Sequence, residues 1–187
     1  MDTDVLKEEF YLCIKEALEE FSKSSDNNKV YAIVLDCDSS VGGAWLRYGN
    51  REHFQEHLEE YKKYNKKNGW EIYGLHGSEY EPGEFSFIEY QESDKVKHFT
   101  ESYYYYATGH EYYEREPIED IKDNYEEIFW DMIVDTILRL KDEMKKIGID
   151  ITENFIMFCC DHDQSDEERD RMIRWTVEEE LMRKLIR

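Results

Sequence analysis

The sequence predicts an α+β fold, a mixed or antiparallel sheet covered by amphipathic helices, in a single domain over residues 1–187. Three observations lead there. Leu6, Phe10, Cys13 or Ile14, Ala17 and Phe21 recur at the spacing of a helix with one buried stripe. Residues 30–35 form a continuous apolar run, rich in β-branched side chains and too short for a helix, as in a central strand. Residues 70–115 mix aromatic and polar side chains between turn signals at Pro82-Gly83, Ser93-Asp94 and Thr108-Gly109, which fits a meander of strands.

Taken in order, the first helix spans residues 4–23 and a polar break at 24–29 precedes the strand at 30–35. Residues 41–48 supply its neighbour, with Gly42 and Gly43 near the turn. Asn50 is placed to cap a second helix carrying Phe54, Leu58 and Tyr61. Lys62, Lys63, Lys66 and Lys67 crowd the end of that helix, where its dipole is negative. After the meander, Glu116-Pro117 opens one long helix whose stripe runs from Ile121 through Met132 and Leu140 to Ile147, and Gly148 ends it. Residues 155–160 form another apolar strand, placed in the same sheet as 30–35 and covered with it by the first and the long helix. Ser165 and Glu168 make a capping box for a last helix with Met172, Thr176 and Met182 on one side.

The chain carries a formal charge of −21, yet Leu, Ile, Val and Phe supply 42 of its 187 residues. That lies above the roughly 20% below which disorder is favoured, so a folded core is expected. A field of this sign repels the phosphate backbone and anionic lipid, which excludes ordinary nucleic-acid and membrane-surface binding. Residues 1–10 lack the basic flank and apolar stretch of a secretory signal, so a cytoplasmic location is expected. Cys13, Cys37, Cys159 and Cys160 show no CxxC spacing and read as reduced core thiols.

Two constellations suggest metal chemistry. His53-Phe54-Gln55-Glu56-His57 has the letters of the H-x-x-E-H zinc motif, with both imidazoles on one helical face and Glu56 as base. A third ligand is not evident, and the two histidines also fit the edge of the stripe made by Phe54, Leu58 and Tyr61. Asp36 with Asp38, and Asp161 with Asp163, each follow an apolar strand, and on neighbouring strands the four would converge on a hard cation. Acids after strands also serve ordinary turns and caps, so no metal site is assigned and these residues stand as fallback candidates. No phosphate-cradling loop, nucleophile elbow or dinucleotide fingerprint is present, and no cofactor or catalytic residue is expected.

The tyrosines are the more unusual feature. Tyr103, Tyr104, Tyr105 and Tyr106 run together, and Tyr112 and Tyr113 follow beside Glu111. On a strand half of them would face outward among acids, a surface suited to a basic protein partner. Tyr103, Tyr104, Tyr105, Tyr106, Glu111 and Tyr113 are therefore the candidate partner-binding residues.

An opening amphipathic helix, Tyr31-Ala32-Ile33-Val34-Leu35-Asp36, a capped helix from Asn50, a long helix, and Glu153-Asn154-Phe155 leading to Asp161-His162-Asp163 together resemble a bacterial family of uncharacterised small cytoplasmic proteins. That family is similar to the presumed immunity factors encoded beside polymorphic toxins. The likeness covers most of the chain, and the tyrosine-rich middle departs from it. It implies a protein-binding role and carries over no catalytic residues. The expected function is an acidic module that captures a basic protein, such as a nuclease toxin. The alternative is a metal-dependent hydrolase using the paired aspartates or the HxxEH helix. The sequence leaves the partner's identity and the oligomeric state open.

Overall fold

A computed structural model describes residues 1–110, 115–162 and 164–186. Its centre is a four-stranded sheet in the order β3-β2-β1-β4, made from β1 (Val30–Asp38), β2 (Gly43–Asn50), β3 (Ser86–Phe87) and β4 (Ile151–Asp161). β1 pairs antiparallel with β2 and parallel with β4, and β2 pairs antiparallel with β3, so the sheet is mixed and the fold is α+β. The helices among the described residues are α1 (Thr3–Phe21), α2 (Arg51–Asn68), α3 (Asp94–Thr108), α4 (Tyr125–Leu140), α5 (Met144–Ile147), α6 (Asp166–Ile173) and α7 (Glu179–Leu185).

Alternation along β1 and β4 divides their side chains between two cores. Ile33, Leu35, Cys37, Met157 and Cys159 face one core, completed by Phe10 and Ile14 of α1, Phe99 of α3 and Ile133 of α4. Ala32, Val34, Ile156, Phe158 and Cys160 face the other, closed by Phe54 of α2, Leu75, Ile173 of α6 and Met182 of α7. The two strands are thus buried on both faces, as their unbroken apolar runs demand. The cover differs from the expected one. α1 and α4 share one face, and the second face is covered by α2 and the C-terminal helices.

Several local signals act as read. The Asn50 side chain accepts from the His53 backbone N–H at 2.8 Å, and Ser165 and Glu168 form a reciprocal capping box. Lys66 and Lys67 lie in the last turn of α2, which closes on the left-handed Gly69.

The expected strand meander at 70–115 is corrected, since among its described residues only Ser86 and Phe87 form a strand, and Tyr103–106 lie on α3. Ser93 caps α3 by accepting from the Val96 N–H at 3.3 Å, and Val96, Phe99 and Tyr103 follow at helical spacing, all fully buried. The helical period therefore outweighs the strand preference of consecutive tyrosines.

The long helix is also corrected. It begins at Tyr125, because the Ile118 N–H donates to Ser102 Oγ and its carbonyl accepts from Tyr106 O–H, which ties that stretch sideways to α3. A turn at Lys141, Asp142 and Glu143 then separates α4 from α5. The last helix divides at Trp175 and Thr176, where the Thr176 hydroxyl donates to the Met157 carbonyl of β4 at 3.1 Å. Among the described residues no helix is long and apolar enough to cross a membrane.

Candidate functional site

The parallel pair β1 and β4 ends in the residues that the sequence singled out for metal binding, and the register turns Asp36 and Asp161 to opposite faces. Asp36 stands opposite Cys160, and Asp161 stands opposite Cys37. Asp36 and Asp161 therefore project from opposite faces of the sheet. Asp36 is only 2% exposed and is held by Arg47, whose Nε lies 2.9 Å from Asp36 Oδ2. Burial pushes the Asp36 carboxyl above its usual range, and the Arg47 charge opposes that rise. Asp161 accepts from the Ser39 hydroxyl, and Asp38 accepts from the Ser40 N–H at 3.0 Å. Asp163 lies outside the described residues.

The fallback histidines are on α2, with ring centroids 4.3 Å apart. His57 Nδ1 donates to the His53 carbonyl at 3.0 Å, which leaves only its Nε2 for a ligand. Among the described residues no group of three or more His, Cys, Asp or Glu is placed to hold a metal ion. The described aspartates thus form no metal cluster, and the convergence of all four, which includes Asp163, lies partly outside the described residues. Cys159 and Cys160 offer no nucleophile either. Burial pushes Cys159 up to about 12, and burial with the nearby Asp36 charge pushes Cys160 up as well.

The tyrosine run divides in a way a strand would not give. Tyr103 is fully buried, and its hydroxyl donates to the Ser39 carbonyl at 2.6 Å, fastening the β1–β2 turn to α3. Tyr103 is therefore a packing residue and is corrected as a partner-binding candidate. Tyr104, Tyr105 and Tyr106 are half-buried, with Tyr106 stacked on Tyr125 at 6.0 Å. Glu111, Tyr112 and Tyr113 lie outside the described residues.

The exposed aromatic surface is elsewhere. A groove of about 760 Å³ runs along the β2–β3 margin of the sheet, between α1 and the stretch from Phe87 to Gln91. Trp45 at 39% exposure and Phe87 at 58% are among its lining residues, and strand register turns both side chains toward the sheet face that carries Asp36 and Arg47. The β2–β3 register sets Phe87 opposite Arg47, and the guanidinium lies 4.0 Å from the Phe87 ring centroid. That same guanidinium is fixed by Asp36 and by the Pro82 carbonyl at 3.3 Å, so the buried ion pair anchors an exposed ring. Glu16, Glu20 and Glu89 line the groove, all exposed. Glu20 pairs with Lys23, whereas Glu16 and Glu89 make no ion pair among the described residues. Trp45 and Phe87 are 42 positions apart, and only the strand pairing brings them to one margin.

A second concavity of about 410 Å³ opens beyond the carboxyl ends of β1 and β4. Trp130 and Trp175 stand there with ring centroids 5.8 Å apart, beside Asp38, Asp161 and Glu168. No protein-family model, no curated protein and no solved structure matches the chain.

Proposed function

We propose that the chain is an acidic protein-binding module, an immunity factor that neutralises a basic, nuclease-type toxin. The observation that carries this reading is the β2–β3 margin, which exposes Trp45 and Phe87 and also carries Glu16 and Glu89, two carboxylates that make no ion pair among the described residues. Aromatic side chains of this kind are the usual anchors of protein interfaces, and removing one typically costs about 2 kcal/mol or more of binding. The net charge of −21 supplies long-range attraction for a positive partner and repels other acidic proteins. A nuclease presents such a partner surface, because it must itself attract phosphates. The anchor is also preorganised. Phe87 rests on an Arg47 guanidinium that is already fixed by Asp36, so little order has to be imposed on binding.

The reading is tested by affinity capture from the native host, comparing the wild-type chain with a Trp45→Ala, Phe87→Ala variant. A basic protein should be retained by the wild type and lost by the variant, and its toxicity on expression should be relieved by the wild-type chain alone. Retention of an acidic partner, or equal retention by both chains, would count against the groove.

A further inference from the structure

We infer that the concavity at the carboxyl ends of β1 and β4 binds an organic cation, a primary ammonium or guanidinium group on a short aliphatic stem. The inference uses residues separate from the β2–β3 groove and stands whether or not that groove binds a protein. Open sheets characteristically bind ligands outside the carboxyl ends of their parallel strands, and this volume of about 410 Å³ falls in the range of small-ligand sites.

The lining specifies the sign of the charge. Trp130 and Trp175 form an aromatic wall with centroids 5.8 Å apart, and Trp175 is 42% exposed although it sits at the turn between two helices. Indole faces attract ammonium and guanidinium groups. Asp38, Asp161 and Glu168 add three carboxylates, none of which makes an ion pair among the described residues. Gln164 also lines the space. Buried Met172 provides an apolar floor for the stem.

Among the described residues Arg171 is the only cation lining the space, and it is exposed. It makes none of the cation–ring contacts found among the described residues, so the indoles are not occupied by the chain's own guanidinium. The β1–β2 turn beside the concavity is held in place. The Ser39 carbonyl accepts from the Tyr103 hydroxyl while the Ser39 hydroxyl donates to Asp161. The serine turn is therefore fixed before any ligand arrives.

The test is a titration of the isotopically labelled full chain, followed through the indole N–H resonances of Trp130 and Trp175. The probes are 1,4-diaminobutane, N-acetyl-lysine amide, N-acetyl-arginine amide and, as an uncharged control, 1-butanol. At least one cation should shift both resonances saturably, with butanol inert. Trp175→Ala should weaken that binding about tenfold, and Asp161→Asn and Glu168→Gln, which keep their hydrogen-bond acceptors, should weaken it in the same direction. Binding of the diamine alone identifies a free metabolite as the ligand, whereas binding of the capped amino acids identifies a side chain of a partner protein. The inference is overturned if no cation gives a saturable shift, if butanol matches them, or if the three variants bind as the wild type does.

Discussion

Asp36 and Asp161 stand one register step apart on neighbouring parallel strands and project from opposite faces of the sheet, Asp36 onto Arg47 and Asp161 onto Ser39. The two acids therefore have different work and different costs of removal. Asp36→Ala leaves the Arg47 charge buried and unpaired, and should lower stability by about 3–5 kcal/mol. Asp161→Asn keeps an acceptor for the serine and should cost about 1 kcal/mol or less. Urea unfolding of both variants checks this, and replacing Arg47 by Leu in the Asp36→Ala background should restore much of the loss. Equal costs for the two acids would contradict the assigned pairing.

Glu168 and Asp36 contribute to the pH dependence in opposite senses. Hydrogen bonds from the Ser165 backbone and hydroxyl hold Glu168 below its ordinary value. Its contribution to stability is therefore complete above the unfolded glutamate pKa and disappears as the pH falls through the lower folded value. Burial raises Asp36, so its ionisation costs stability at neutral pH, and that cost is removed as the pH falls through its folded value. Glu168→Gln should be less stable than the wild type at neutral pH, and the difference should close on acidification. Stability curves measured across the carboxylate range decide it, and a gap that widens toward acid would refute the capping geometry.

Gly42 is required by two features at once. Its φ is +72°, and a Cβ placed there would lie 2.5 Å from the Tyr103 ring. Gly42→Ala should destabilise the chain by more than about 1 kcal/mol, and Tyr103→Phe, which loses only the bond to the Ser39 carbonyl, by about 1 kcal/mol. Thermal unfolding of each variant checks the ordering. A neutral Gly42→Ala would mean that the turn does not pack on α3 as described.

Signals confined to a short stretch were legible in the sequence. The run from Val30, the Asn50 cap and the Ser165–Glu168 capping box each depend on residues within a few positions of one another, and the structure contains all three. The tyrosine run was misread because four adjacent tyrosines fit either a strand or a helix, while Val96, Phe99 and Tyr103 at helical spacing, behind a Ser93 cap, decide for the helix. The α4–α5 turn was hidden because Leu140 and Met144, on either side of it, face the same core. The groove and the strand-end concavity were not legible. Trp45 and Phe87 reach one margin, and Trp130 meets Trp175, only through tertiary packing, and nothing near either member of each pair announces the other.

The four cysteines should react with thiol reagents in a fixed order. Cys37, Cys159 and Cys160 are buried, and burial raises all three thiols, whereas Cys13 is only partly buried at the margin of the β2–β3 groove. The native chain should therefore label first at Cys13, and the others should follow only on unfolding. Peptide mapping after brief alkylation gives the answer, and early labelling of Cys159 or Cys160 would contradict their assignment to the two cores.

The most direct test of the central claim is the kinetics of the captured partner on the wild-type chain and on Trp45→Ala, Phe87→Ala. Raising salt from about 0.1 M to about 1 M shortens the screening length from about 10 Å to about 3 Å, and should chiefly slow association by weakening the attraction of the acidic surface. Removing the two rings should instead speed dissociation, by an amount corresponding to about 2 kcal/mol or more, and leave the salt dependence of association in place. A partner whose association ignores salt and whose dissociation ignores Trp45 and Phe87 would contradict the account.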